Sequence, residues 1–188
     1  LKKMQDVSET ARKNNLSIHL DGARFFNAVT ALRCKPEQLA SCADSVSICL
    51  SKGLGTPLGT VLVGSSKFIR KARRNRKILG GSMRQVGVVA AAGHYALDNN
   101  ISRLAEDHKR AEHLANELRA MNIGTVDSGT NMVFFTPTDG QTEKLRSHLE
   151  KYSVKIGDQN PSIRMVLHRD ISDESLEKAI TGFKTFYQ

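Results

Sequence analysis

The apolar positions change period several times along the first third of the chain. Leu1, Met4, Val7 and Ala11 recur at helical spacing, so a helix is predicted over residues 1–14, broken by Asn14-Asn15. Leu16, Ile18 and Leu20 alternate with Ser17 and His19, which predicts a short strand closing at Asp21-Gly22. Residues 24–32 return to helical character, and Pro36 opens a further turn through Leu39 to Ala43. Val46, Ile48 and Leu50 predict a second strand, ended by a glycine-dense loop from Ser51 to Pro57. Residues 59–64 (GTVLVG) predict a third. Strand, helix, strand, loop, strand is the order of an α/β sheet.

Beyond it, Ser65-Ser66 is placed to cap a basic helix over 67–78, broken by Gly80-Gly81. The alanine-rich apolar stretch 84–97 predicts a buried helix. Residues 101–121 predict a long amphipathic helix with Leu104, His108, Ala111, Leu114, Ala115 and Leu118 on one side. Strands are predicted at 132–135 and 163–167, and helices at 142–152 and 173–186. Ser172 or Asp173 caps the last helix, and Leu176, Ala179, Ile180 and Phe183 face inward. This divides the chain into a sheet-bearing part, residues 1–98, and a small α/β lobe, residues 99–188.

With 188 residues the chain holds one domain plus a small lobe, and its core is built without tryptophan. No apolar stretch approaches membrane-spanning length, so no membrane partner is expected. The chain starts on Leu1 with no signal pattern, as a fragment or processed product would. Cys34, Cys42 and Cys49 are odd in number and lack a C-x-x-C pair or paired histidines. They read as reduced thiols rather than zinc ligands, in the cytoplasm or, alternatively, a mitochondrial matrix. Much of the formal charge of +9 sits in one run, Lys67 to Lys77. A solvated or subunit-facing helix is the plainer reading of it. Nucleic-acid binding is the weaker one, because no stacking aromatics accompany the run.

Two features carry candidate chemistry. His19-Leu20-Asp21-Gly22-Ala23-Arg24 places an acid and a base at a strand end, and Ser51-Lys52-Gly53 places an amine on a glycine-bounded loop after another strand. Ligands of open α/β sheets sit outside the carboxyl ends of strands. A lysine there can attack a cofactor aldehyde once its proton is lost, a carboxylate can hold a pyridine nitrogen protonated, and arginine can fork onto a substrate carboxylate. Taken singly, an Asp–Arg pair is more often a structural ion pair, and a loop lysine is more often simply solvated. His19, on the same side as Asp21 by alternation, reads as a half-buried structural histidine before a supporter of that carboxylate. His168 is similarly ambiguous.

HLDGARFFNA (19–28), SVSICLSKGLGTPLGTVLVGS (45–65), ILGGSMRQVG (78–87) and IRMVLHRDIS (163–172) resemble the low-specificity L-threonine aldolases, in order and spacing across most of the chain. The resemblance implies the fold-type-I architecture of enzymes that use pyridoxal 5'-phosphate (PLP), here as part of the large domain plus a small C-terminal α/β lobe. It implies Lys52 as the cofactor lysine and Asp21 as the partner of the pyridine nitrogen. Arg24 would lie near the cofactor's phenolic oxygen and the substrate carboxylate. Arg164 would be the second carboxylate-binding arginine, and Lys77 and Arg84 would approach the cofactor phosphate from a neighbouring subunit. The implied activity is cleavage of L-threonine and L-allo-threonine to glycine and acetaldehyde by a homotetramer or dimer. No metal is implied.

Family members begin well upstream of Leu1. By resemblance, the upstream part carries the helix N-terminus that receives the cofactor phosphate and a histidine that stacks on the ring, and no glycine–serine/threonine phosphate cup replaces them within residues 1–188. As an isolated product the chain is expected to bind PLP weakly and to expose sheet edges prone to association. The competing expectations are a non-catalytic remnant of such an aldolase, and another fold-type-I enzyme, either a β-eliminating lyase or an aminotransferase.

Overall fold

The computed structural model describes residues 1–138, 140–157 and 161–188. They form two compact units, residues 1–103 and 104–188.

The first unit opens with α1 (Lys2–Lys13), followed by β1 (His19–Gly22), α2 (Phe25–Leu32), α3 (Pro36–Ala40), β2 (Ser45–Cys49) and β3 (Thr60–Gly64). The first strand begins later than the apolar alternation suggests. Leu16 is exposed, and the ladder starts at His19, opposite Ser45. β2 is central. It pairs in parallel with β1, Asp21 opposite Ser47, and antiparallel with β3, Cys49 opposite Thr60. Each outer strand has this one partner among the described residues.

Side-chain alternation gives the sheet two unlike faces. Leu20, Val46 and Ile48 turn toward Phe25 and Val29 of α2 and Leu39 of α3, with Leu1 and Met4 of α1 packed alongside. The other face carries His19, Asp21, Ser45, Ser47 and Cys49. Gly22 marks the point of closest approach. A Cβ built there would lie 2.5 Å from the Ser47 carbonyl oxygen.

After β3 the chain enters α4 (Ser66–Ile78), whose first turn is capped by the Ser65 hydroxyl accepting from the Phe68 amide at 3.3 Å. α4 doubles back along β3. Arg76, near its end, lines a groove of about 480 Å³ together with Thr60, at the start of the strand. No residue of α4 is buried.

α5 (Gly87–Asn99) corrects the expectation of a buried helix over 84–97. It begins at Gly87, leaving Arg84 in the turn before it, and only Gly93 and Ala96 are buried. Val88 is 77% exposed and Tyr95 63%. Alanine and valine all around the helix give it no single apolar stripe, so composition alone misstates its burial.

The second unit comprises α6 (Leu104–Met121), β4 (Gly124–Gly129), β5 (Met132–Pro137), α7 (Thr142–Leu149) with a following 3-10 turn, β6 (Ile163–Val166) and α8 (Asp173–Tyr187). The meander β4-β5-β6 is antiparallel throughout. β4 (GTVDSG) has too little apolar content to be seen in the sequence. Pairing with β5 places it. Leu118, Val133, Phe135, Leu145, Ile163 and Phe183 fill the core, with Phe135 and Phe183 edge to face at 5.8 Å. On α6 the sequence pattern puts His108 on the inner side. The fully buried member is instead Asp107, and His108 is half-buried. Burial pushes the His108 pKa down against the opposing charge of Asp107. Ser172 caps α8, its hydroxyl accepting from the Ser175 amide at 3.1 Å.

Candidate active site

The parallel pairing of β1 with β2 puts their carboxyl ends side by side. Asp21 stands at the first end. Its Oδ1 accepts from the Ala23 amide at 3.1 Å, a turn that redirects the chain into α2. The side chain is exposed, so Oδ2 is available to another donor. Lys52 follows the second end by three residues and is also exposed. Cys49, the last residue of β2, shares the sheet face of Asp21, because Asp21 lies opposite Ser47 and alternation carries that face to Cys49.

The loop bearing Lys52 is a built structure. Gly55 donates its amide to the Lys52 carbonyl at 2.9 Å, closing a turn. The Thr56 amide returns to the Leu50 carbonyl at 3.1 Å, and the Leu50 amide donates to Gly59 at 3.0 Å. Leu50, Leu54 and Thr56 are buried, so the loop hangs from three anchored points while Lys52 projects between them. α5 supplies the backing. Asn100, the residue that ends it, donates Nδ2 to the Leu54 carbonyl at 2.7 Å.

Cys49 adds a thiol to the same sheet face, one whose surroundings sequence reasoning passed over. Its Sγ lies 3.5 Å from the Ser51 hydroxyl. Burial raises the thiol pKa, but hydrogen bonds from Ser51 and the charge of Lys52 outweigh it, and the net direction is downward. The signal was present as the run Cys49-Leu50-Ser51-Lys52. Asn100 gave no such signal, lying 46 residues from its partner.

The remaining residues divide by location. Arg24 is half-buried at the N-cap of α2, three residues after Asp21. Lys77 lies exposed in the last turn of α4, beside the Arg76 that reaches the Thr60 end of the sheet. Arg84 is exposed in the turn before α5. Arg164 is exposed on β6 of the second unit, opposite Phe134. His19 is exposed rather than half-buried, with its Nδ1 2.9 Å from the Ser45 hydroxyl.

The fold is that of the fold-type-I enzymes, the threonine aldolases and aminotransferases among them, and solved structures of that class share this backbone. Threonine aldolase from Leishmania major matches with TM-score 0.82 at 18% identity, over all of this chain and 56% of that one. N-acetylornithine aminotransferase from Stenotrophomonas maltophilia matches with TM-score 0.65 at 19% identity, over 96% and 50%. At those identities the likeness is one of fold. The family model for β-eliminating lyases matches residues 1–139, and the chain belongs to that family. It is 42% identical over 183 residues to the low specificity L-threonine aldolase of Escherichia coli K12, and 42% identical over 187 residues to low-specificity L-threonine aldolase 1 of Arabidopsis thaliana. These alignments cover 97% and 96% of this chain but 55% and 52% of the relatives, so the chain spans about half the length of the curated relatives it matches. No helix among the described residues is long and apolar enough to cross a membrane.

Proposed function

We propose that this chain carries the cofactor lysine of a PLP-dependent lyase that cleaves L-threonine and L-allo-threonine to glycine and acetaldehyde. The observation that carries the reading is the parallel β1–β2 pair, which sets the Asp21 carboxylate beside the strand end that delivers Lys52. The residues fit PLP in kind: an exposed carboxylate with a spare oxygen for the ring nitrogen, and an exposed amine at the neighbouring strand end for the aldehyde. When bound, PLP supplies the electron sink that lets a Cα–Cβ bond break.

The chain's own residues do the rest. Asp21 would accept a hydrogen bond from the ring nitrogen and favour its protonated form, since a nearby carboxylate stabilises the positive charge. Lys52 would hold the cofactor through its amine and, when that amine is free, could move a proton at Nζ. Arg24 and Arg164 are the proposed forks for the substrate carboxylate. Lys77 and Arg84 are proposed to reach the phosphate of a second copy. They belong to a stretch, residues 45–97, with nine Lys or Arg and no Asp or Glu. Assembly into a dimer or tetramer is supported by the apolar side chains left bare on the same stretch, among them Ile78, Leu79, Met83 and Val88.

The test is to treat the protein with PLP, reduce with borohydride, and map the pyridoxyl group by peptide mass spectrometry, while acetaldehyde release from L-threonine is followed in parallel. A label centred on Lys52, with both label and acetaldehyde lost in Lys52→Ala, is the expected result. Label spread over surface lysines without Lys52 would end the proposal, and keto-acid in place of acetaldehyde would mark an aminotransferase.

A further inference from the structure

The peptide unit joining Leu54 to Gly55 is gripped on both polar edges. Its carbonyl oxygen accepts from Asn100 Nδ2 at 2.7 Å, a buried bond. Its N–H donates to the Lys52 carbonyl at 2.9 Å. A peptide unit is planar, so fixing the direction of the carbonyl also fixes that of the N–H. Asn100 therefore reaches the backbone of Lys52 through one rigid plate. The plate needs holding. Gly55 sits at φ 71°, and glycine adopts positive and negative φ with similar ease, so its own torsion does little to keep the unit from turning over and, without Asn100, the bond to the Lys52 carbonyl is left to do so alone. Asn100 itself is well placed to hold it: only 6% exposed, with its own amide bonded to the Ala96 carbonyl at 2.9 Å.

We propose that Asn100 is a positioning residue for Lys52, locking the Leu54–Gly55 peptide so that the turn closed on the Lys52 carbonyl aims the amine. The proposal rests on the reading of Lys52 as the cofactor lysine, and it gives a strand-end loop with two positive-φ glycines, Gly55 and Gly59, a side chain that restrains it. A purely structural role for Asn100 would lower stability without selective effect at Lys52.

The experiment compares Asn100→Ala, Asn100→Asp and, as a control, Leu39→Ala, which removes a buried side chain of the same unit away from the loop. Two quantities are read: hydrogen exchange at the Gly55 amide, and the share of borohydride-fixed pyridoxyl found on Lys52 relative to the exposed Lys67. Loss of one buried hydrogen bond predicts about tenfold faster Gly55 exchange in Asn100→Ala, together with a fall in the Lys52 share. Leu39→Ala is expected to lower the melting temperature and move neither quantity selectively. Asn100→Asp adds a pH signature. Its carboxylate cannot donate to the Leu54 carbonyl, but its protonated form can, so Gly55 protection, corrected for intrinsic exchange, should return on acidification. Unchanged Gly55 exchange in Asn100→Ala overturns the proposal, as does faster exchange with an unchanged Lys52 share. Absence of label on Lys52 in the unaltered protein overturns the cofactor-lysine reading instead, and Gly55 exchange then still decides whether Asn100 holds the loop.

Discussion

Asp21 lies opposite Ser47 in the parallel β1–β2 ladder, and this register places its carboxylate on the face that ends in Cys49. The register also explains why the carboxylate is spare. Among the described residues its hydrogen bond is the one that closes the turn to Ala23, near the surface. Asp21→Ala should therefore cost little stability, about 1 kcal/mol or less in urea unfolding. The same change should weaken PLP retention about tenfold or more, because the lost bond is one between charged partners. Equal PLP retention by Asp21→Ala and the unaltered protein would remove Asp21 from the site.

Cys49 should be the most reactive of the three thiols. Its pKa is lowered by Ser51 and Lys52 in spite of burial, so a larger fraction is thiolate at neutral pH than for an ordinary cysteine. Iodoacetamide mapping over a pH series is expected to show Cys49 alkylated ahead of Cys34 and the buried Cys42, with a midpoint below that of a free thiol. Lys52→Ala removes one of the charges that favour the thiolate and should move the midpoint up. A midpoint that stays put in Lys52→Ala would separate the two side chains.

The elements whose own residues fix their period were legible in the sequence. The alternation of β2 and the caps at Ser65 and Ser172 all appear where the residues predict them. The positions of Asp21 at a strand end and of Lys52 on the following loop were legible because both are local features, while their role in the site is the proposal made above. What escaped is what contacts decide. β4 is held by its pairing with β5 rather than by its own apolar content. α5 looks like a buried helix by composition, yet its side chains meet little of the first unit. Asn100 reads as an ordinary helix end until its bond to Leu54 is seen.

Gly22→Ala tests the ladder that brings the site together. The added methyl would press on the Ser47 carbonyl at 2.5 Å and on Phe25 Cβ at 3.1 Å, and neither is the free end of a flexible side chain. β1 and β2 would have to separate locally. Overpacking of this kind costs about 1–3 kcal/mol, read as a lower urea midpoint. Because β1 carries Asp21, pyridoxyl fixation on Lys52 should fall in step. An unshifted midpoint would show that the strands part more easily than this close contact allows.

In the second unit, α6 and α8 are joined along one seam by Arg110–Asp173 at 2.6 Å, His113–Glu177 at 2.8 Å and Glu117–Lys184 at 2.7 Å. The hydrogen bond from Lys184 holds the Glu117 carboxyl below the ordinary carboxylate range, with burial opposing and the charges of Lys184 and His113 assisting. The sign of the pH effect follows from that direction. A carboxyl depressed in the folded state contributes stability above its unfolded pKa, and the contribution is lost as pH falls through the folded pKa. Both partners are partly solvated, so the contribution is small, about 0.5 kcal/mol. Lys184→Ala should lower the urea midpoint near neutrality by that amount and leave it nearly unchanged in acid, where Glu117 is protonated in both proteins. Lys178→Ala, which breaks a pair confined to α8, serves as the comparison. A Lys184→Ala deficit that persists undiminished in acid would assign the loss to the packing of the lysine stem rather than to its charge.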